Sequence, residues 1–501
     1  MSRTGQTVTA RAVTAQTVTS RAMIAQALAT QAVMLVAILA MAGTVAAHLG
    51  LLPHGAWGAD EYGTFAHFRD KGFSFLWFRF WSWSPRPLSE IAIAAYAWVV
   101  IESGRPLIVP VLAVYWAAFL ASALPALKHL GPGQMPGRVL GALSVLAFLV
   151  LGRHMFPLYY WPFGIVAYLP VVSAALFVLF TLANGAATAK PGGTVTAIVL
   201  TAAAWSSEAG ALFVSLYIGL LAAHAIATRT PLPAWRSLAV PLLAALPVVW
   251  VVMTNNRADL DMPPGADPAL YHRLVPSLRA AASGLFQEFL VFDNGPFSWR
   301  NAVKGLLLKA AFFAGIHALW ADAAPAARAG RRWLPVFALA LAATCYAMLA
   351  GSYRQFGGPC CDQHAQVREN LAFVAMAALA MWLPPRFAWA PGFAGVLRWR
   401  KILAPAILTA ALVFAIKPRF GDLVQDYRHY GEPARLRAMS WSSAASRGPE
   451  MTLYFPVPDE VFKVYMPSGP LRANENWWAA NILAFFGKEK VTVRIATRHG
   501  E

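Results

Sequence analysis

Acidic side chains are scarce in this chain: 23 among 501 residues, so each position carries information. Asp60 and Glu61 stand side by side in the segment GAWGADEYGTF, flanked by Trp57, Tyr62 and Phe65. Two carboxylates beside aromatic rings can act as a general base or hold a divalent metal such as Mg or Mn. The plainer alternative is a solvated turn. Glu90 and Glu208 lie in or beside apolar stretches, where an ionised carboxylate costs about 2.5–3.5 kcal/mol on insertion scales. Glu208, in AWSSEAG, either lines a polar cavity and binds substrate or opens a helix behind a serine cap. Glu90, directly after Ser89, is expected in the first turn of a helix that Ser89 caps.

The cationic candidates are Arg86 in SWSPRPLSE, and Arg354 and Arg368 on either side of GGPCCDQHAQ, with His364 between them. Guanidinium forks suit phosphate oxygens, and they also suit lipid headgroups. Tyr160 and Trp161, inside Tyr159–Phe163 (YYWPF), can stack on a sugar ring or form part of an interfacial aromatic belt.

The elements that must position these groups follow from composition. The chain is 58% hydrophobic and 13% charged, with 41 basic and 23 acidic residues and a net charge of +18. Soluble domains carry about 25% charged residues, so an ordinary soluble enzyme, a disordered chain and a disulfide scaffold are excluded. Continuous runs of Leu, Ala, Val and Phe, rather than short alternations, predict an all-α polytopic membrane protein and not a β-barrel. Eleven spans are expected, near 31–52, 107–127, 138–152, 164–183, 194–206, 209–227, 237–253, 302–320, 333–350, 370–384 and 401–416. The stretch 88–101 is too short to cross and reads as interfacial or re-entrant. With residues 1–30 as a cytoplasmic tail, Lys and Arg gather in the short loops on the same side, where Asp322 is the one acid. The transmembrane part is then 31–416, with outer loops 53–106, 254–301 and 351–369. Residues 417–501 are expected to form a small outer α/β domain, with strands near 451–456 and 491–495 and a helix over 477–486.

Residues 7–16 and 17–26 are near-duplicates, which predicts a short helix on the membrane surface; a true start at Met23 or Met34 is the alternative. The three cysteines read as free thiols, with a vicinal Cys360–Cys361 disulfide as the alternative in an oxidising compartment. There is no Walker A motif, no G-x-G-x-x-G before a helix and no H-E-x-x-H, so nucleotide hydrolysis and redox catalysis have no visible seat. The absence of two-half symmetry weakens a secondary-transporter reading.

The order of parts resembles the GT-C-type integral-membrane glycosyltransferases, and within them the O-antigen-modifying glucosyltransferase-like and uncharacterised bacterial proteins. The residues carrying the resemblance are Asp60-Glu61-Tyr62, Arg86 to Ser89, Tyr160 to Tyr168, Ser207-Glu208, Pro359 with Arg368, and the tail from Trp477 to Val491. Each motif is short, and the N-terminal repeat lies outside them. The resemblance implies a polyprenyl-phosphate-linked sugar as donor, a glycan, lipid or protein acceptor, and a bacterial inner-membrane location with a periplasmic C-terminus. It implies inverting transfer with Asp60, or Glu61, as base, and Arg86, Arg354 and Arg368 on the donor phosphate. Membrane lipids are the other expected partners, and no nucleic acid is expected. A lipid or solute carrier, a polysaccharide polymerase or ligase, and a non-catalytic scaffold are the alternatives.

Overall fold

A computed structural model describes residues 4–83, 85–128, 134–152, 155–184, 193–230, 235–254, 267, 269–291, 297–320, 328–383, 396–455, 469–473 and 476–495. The described chain is mostly helical. Helix α1 (Thr4–Gly50) runs without a break for 47 residues. The N-terminal repeat therefore belongs to the helix that makes the first span, and is not a separate surface helix. No proline, and no glycine between Gly5 and Gly43, interrupts it.

Three short helices follow: α2 (Ala59–Lys71), α3 (Ser74–Phe78) and α4 (Pro87–Ser103). After them come α5 (Ile108–Ala121), α6 (Met135–Val150), α7 (Met155–Tyr159), α8 (Pro162–Asn184), α9 (Thr194–Ser206), α10 (Glu208–Ala227) and α11 (Trp235–Thr254). The second half holds α12 (Leu274–Leu290), α13 (Trp299–Trp320), α14 (Arg328–Arg331), α15 (Leu334–Phe356), α16 (Asp362–Trp382) and α17 (Val396–Ile416).

Among the described residues, eight helical stretches are long and apolar enough to cross a membrane: Ile24–His54, Ile108–Leu127, Pro162–Asn184, Glu208–Ala227, Trp235–Val252, Trp299–Trp320, Leu334–Phe356 and Ile402–Arg428. Three of the eleven expected spans differ in kind. Helices α6 and α9 are only 16 and 13 residues long. Helix α16 has the length, but its first turns carry Asp362, Arg368 and Glu369. Helix α9 stops because Ser207 is fully extended and caps α10, its hydroxyl accepting from the Gly210 N–H at 3.2 Å.

The core centres on α8, which is apolar all round and buried along most of its length, packed against α5, α9 and α16. Beyond α17 come α18 (Phe420–Arg428), α19 (Glu432–Ala445), β1 (Glu450–Phe455), β2 (Gly469–Arg472), α20 (Trp477–Phe486) and β3 (Lys490–Ile495). The sheet order is β1-β3-β2, with β3 parallel to β1 and antiparallel to β2. Both strands and the helix expected in this tail are therefore present. The tail is fastened to the segment that follows α1. Arg69 donates to the carbonyls of Phe485 and Ala484, and Arg437 to those of Gly55 and Pro53. Trp57, Tyr62, Trp441, Phe485 and Phe486 pack edge-on and tilted around that seam. The tail thus clamps α2, the helix that carries the acidic pair.

Candidate functional site

Helix α2 starts where Gly58 is extended, and Asp60 and Glu61 fall in its first turn. Neighbours on a helix point about 100° apart, and here the two carboxylates part company. Glu61 is fully buried; its oxygens accept the N–H groups of Gly58 at 2.8 Å and Phe163 at 3.2 Å. Burial pushes its pKa up to about 8, the Trp161 indole opposing the rise and the neighbouring Asp60 charge adding to it. Glu61 is therefore a helix-start and loop fastener. Asp60 is exposed, yet the surrounding protein still raises its pKa above the ordinary carboxylate value, with Arg79 and Arg86 pulling the other way. The pair does not present two carboxylates side by side to one Mg or Mn ion.

Two ion pairs lie beyond Asp60. Arg79 donates through Nε and Nη2 to the buried Glu90 carboxylate, and through Nη1 to Thr64 Oγ1 at 3.0 Å. Glu90 is in the first turn of α4, but Ser89 does not cap that helix. Arg86 occupies the N-cap position, and the Ser89 hydroxyl donates to the carbonyls of Ser206 and Val166. The demand for a partner came from burying the charge, and Arg79 meets it. Arg86 donates to Glu208 at 2.7 Å and to the Tyr168 hydroxyl at 2.9 Å, its guanidinium lying over the Tyr168 ring. The same hydroxyl is 2.8 Å from His364 Nε2. Glu208 thus both opens a helix and faces a partner across the site.

A cavity of about 830 Å³ lies between α12, α13, α15 and α16, and Asp362 and Ala365, on either side of His364 in sequence, are in its lining. It runs from Pro335 and Leu379 to Cys360 and Cys361, and its walls include Leu285, Ala338, Ala342 and Met376. Charged groups are set into this apolar groove. Arg368, 2% exposed, makes a two-pronged pair with Glu288, at 2.8 and 2.5 Å. Its third nitrogen, Nη1, has no hydrogen-bond partner among the described residues. Lys309 donates to the carbonyls of Phe289 and Val291.

The structure joins Cys360 and Cys361 in a disulfide, so the expectation of three free thiols is corrected; Cys345 is the free one. Adjacency in a tight loop held by Ser352 brings the sulfurs together. The Ser352 hydroxyl accepts from the Cys360 N–H and donates to the Gly358 carbonyl. Together with His364, the two cysteines are the one His/Cys/Asp/Glu cluster with metal-ligand spacing among the described residues.

The fold therefore gathers Asp60, Arg86, Glu208 and His364 and places Arg368 at the wall of the adjoining groove. Arg354 stands apart, exposed in the last turn of α15, with its carbonyl accepting the His272 N–H. Tyr160 is buried, its hydroxyl donating to the His48 carbonyl, so it is a packing residue. Trp161 lies half-buried beside Phe163. Sequence reasoning missed Arg79, Glu288 and Lys309. Lys309 had a signal, a cation midway along an apolar span. Glu288 and Arg79 had none beyond being charged in apolar surroundings. No protein-family profile, curated protein or solved structure matches this chain.

Proposed function

We propose that this chain is an integral-membrane glycosyltransferase of the bacterial inner membrane that takes its sugar from a polyprenyl-phosphate donor. The observation that carries this reading is the groove. It is long and apolar, and beside it a buried guanidinium with an unengaged Nη1 leads, through His364, Tyr168 and Arg86, towards an exposed carboxylate. A polyprenyl chain needs apolar walls, its phosphate needs a guanidinium fork, and a sugar acceptor needs a base.

In the proposed reaction, Asp60 accepts the proton of an acceptor hydroxyl. That oxygen attacks the anomeric carbon from the face opposite the phosphate, forming the new C–O bond. The bond from the anomeric carbon to the phosphate oxygen breaks, and its electron pair leaves with the polyprenyl phosphate. Arg368 and Arg86 stabilise the charge that develops there. The raised pKa of Asp60 makes it a stronger base than an ordinary aspartate. The outer face of the membrane is the proposed site of transfer, with the tail from 417 onward on that side.

One observation favours a second reading, a lipid carrier without chemistry: Lys309 lies buried midway along α13, at the depth where carriers place charge. A photoactivatable polyprenyl phosphate separates a filled groove from an empty one. Transferase and carrier both predict crosslinks to α12 and α16, competed by unlabelled polyprenyl phosphate and reduced in Arg368→Ala. Crosslinks scattered over the lipid-facing surface, unaffected by Arg368→Ala, would remove the groove from the account. Donor turnover then separates transferase from carrier.

A further inference from the structure

The Cys360–Cys361 pair takes no part in the proposed transfer, and His364 beside it borders the transfer site without acting in any of its steps. We propose that, once the disulfide is reduced, these three side chains bind a single Zn²⁺ ion at the outer mouth of the groove. The inference does not rest on the glycosyltransferase reading.

The two sulfurs and one imidazole nitrogen all lie within 4.8 Å of one another. With Zn–S near 2.3 Å and Zn–N near 2.0–2.1 Å, donors in a tetrahedral site sit roughly 3.3–3.8 Å apart, so small side-chain movements suffice. The backbone already supports this arrangement. Cys361 has φ of 81°, a left-handed conformation that is costly for a residue with a Cβ, and its carbonyl accepts the N–H groups of His364 and Ala365. That holds the imidazole, one helical turn on, over the pair of sulfurs. With Nδ1 as the metal ligand, the ring carries its proton on Nε2, and that N–H donates to the Tyr168 hydroxyl 2.8 Å away, the outer support that fixes a metal-bound imidazole. Thiolates and imidazole select Zn²⁺ over the hard ions Mg²⁺ and Mn²⁺. Cys360 and Cys361 also face the cavity, which leaves a fourth position for water or an anion.

The chemistry balances in two steps. A dithiol reductant transfers two electrons and two protons to the Cys360–Cys361 bond, giving two thiols and the oxidised reductant. Zn²⁺ then displaces two protons and forms two Zn–S bonds and one Zn–N bond. A bound ion holds both sulfurs as thiolates and so prevents reclosure of the disulfide.

The test uses the full chain in detergent, with Cd²⁺ as a probe that reports thiolate ligation by charge-transfer absorption. The protein is reduced with a dithiol, desalted without oxygen and titrated. One Cd²⁺ per reduced chain is expected, with none bound by the oxidised chain and unchanged binding in Cys345→Ser. Cys361→Ser and His364→Ala should each weaken binding at least tenfold, and Tyr168→Phe by roughly 10- to 100-fold. A second measurement does not depend on variants folding. In the reduced wild-type chain, Cd²⁺ or Zn²⁺ should protect Cys360 and Cys361 from maleimide labelling, read by peptide mass. A reduced chain that takes up no Cd²⁺, binding that survives His364→Ala undiminished, or labelling indifferent to the metal would each overturn the site.

Discussion

Arg86 and Glu208 are 122 residues apart in sequence, and their side chains meet at 2.7 Å. One precedes α4 and the other opens α10, so the pair ties the segment between α1 and α5 to the middle of the helical bundle. Both retain partial access to solvent, 18% and 20% of the side chain, which limits what the pair adds to stability. Removing one partner takes away a charged hydrogen bond from a half-buried group, at about 1–3 kcal/mol. Arg86→Ala is expected to lower the thermal midpoint, measured in detergent, and to reduce transfer roughly 100-fold or more. The double variant Arg86→Ala, Glu208→Ala should recover much of the stability and none of the activity. Full activity in either protein would take Arg86 out of the site.

Glycine at 210 holds this pair in place. A Cβ there would stand 1.8 Å from the Ala203 carbonyl oxygen, so α9 and α10 would have to separate. Gly210→Ala is expected to cost about 1–3 kcal/mol, as overpacking does, and to carry Glu208 away from Arg86. A thermal midpoint equal to the wild type would show that the helix junction relaxes freely.

Glu61 gives the fold a pH dependence with a defined sign. Its folded pKa, about 8, lies above the unfolded value near 4.5. Its contribution to stability is therefore fully present below pH 4.5 and is lost as pH rises through about 8. Wild-type protein should lose thermal stability between those limits, and Glu61→Gln, which cannot ionise, should lose less. Parallel profiles of midpoint against pH for the two proteins would contradict the assignment.

Arg368 is one of two cations in the groove lining, with Lys309. Arg368→Ala removes the guanidinium paired with Glu288, and Glu288 is only 28% exposed. About 1–3 kcal/mol of stability should be lost. Donor affinity should fall roughly 10- to 100-fold with the loss of a charged hydrogen bond, read as an increase in KM for a polyprenyl-phosphate sugar. Arg354→Ala should leave KM unchanged, because Arg354 lies outside the groove lining.

Much of the fold was legible because a bilayer imposes a length and a polarity on each span. The limits of that rule show in α16. Asp362, Arg368 and Glu369 break its apolar pattern, and the helix forms because the first two turns face a polar network rather than lipid. The strands and helix of the tail were visible through alternation and a compact aromatic run. At the site, Asp60, Arg86, Glu208 and His364 stood out as charges in an apolar chain. Their convergence did not, because contacts such as Tyr168 to His364 join residues 196 positions apart. Tyr160 and Glu61 are buried where the sequence suggested exposure, because an aromatic ring or a carboxylate in a loop or a helix's first turn can equally be a fastener, and sequence does not record which way a side chain turns.

The most direct measurement of the central claim is transfer of labelled sugar from a panel of polyprenyl-phosphate donors, by wild-type protein and by Asp60→Asn, in liposomes supplied with envelope glycans and lipids. Turnover of one donor by the wild type, an inverted anomeric linkage in the product, and a loss of about 10²–10⁴-fold in a folded Asp60→Asn protein are expected. Undiminished transfer by Asp60→Asn, or no transfer from any donor by a wild-type protein shown to be folded, would contradict it.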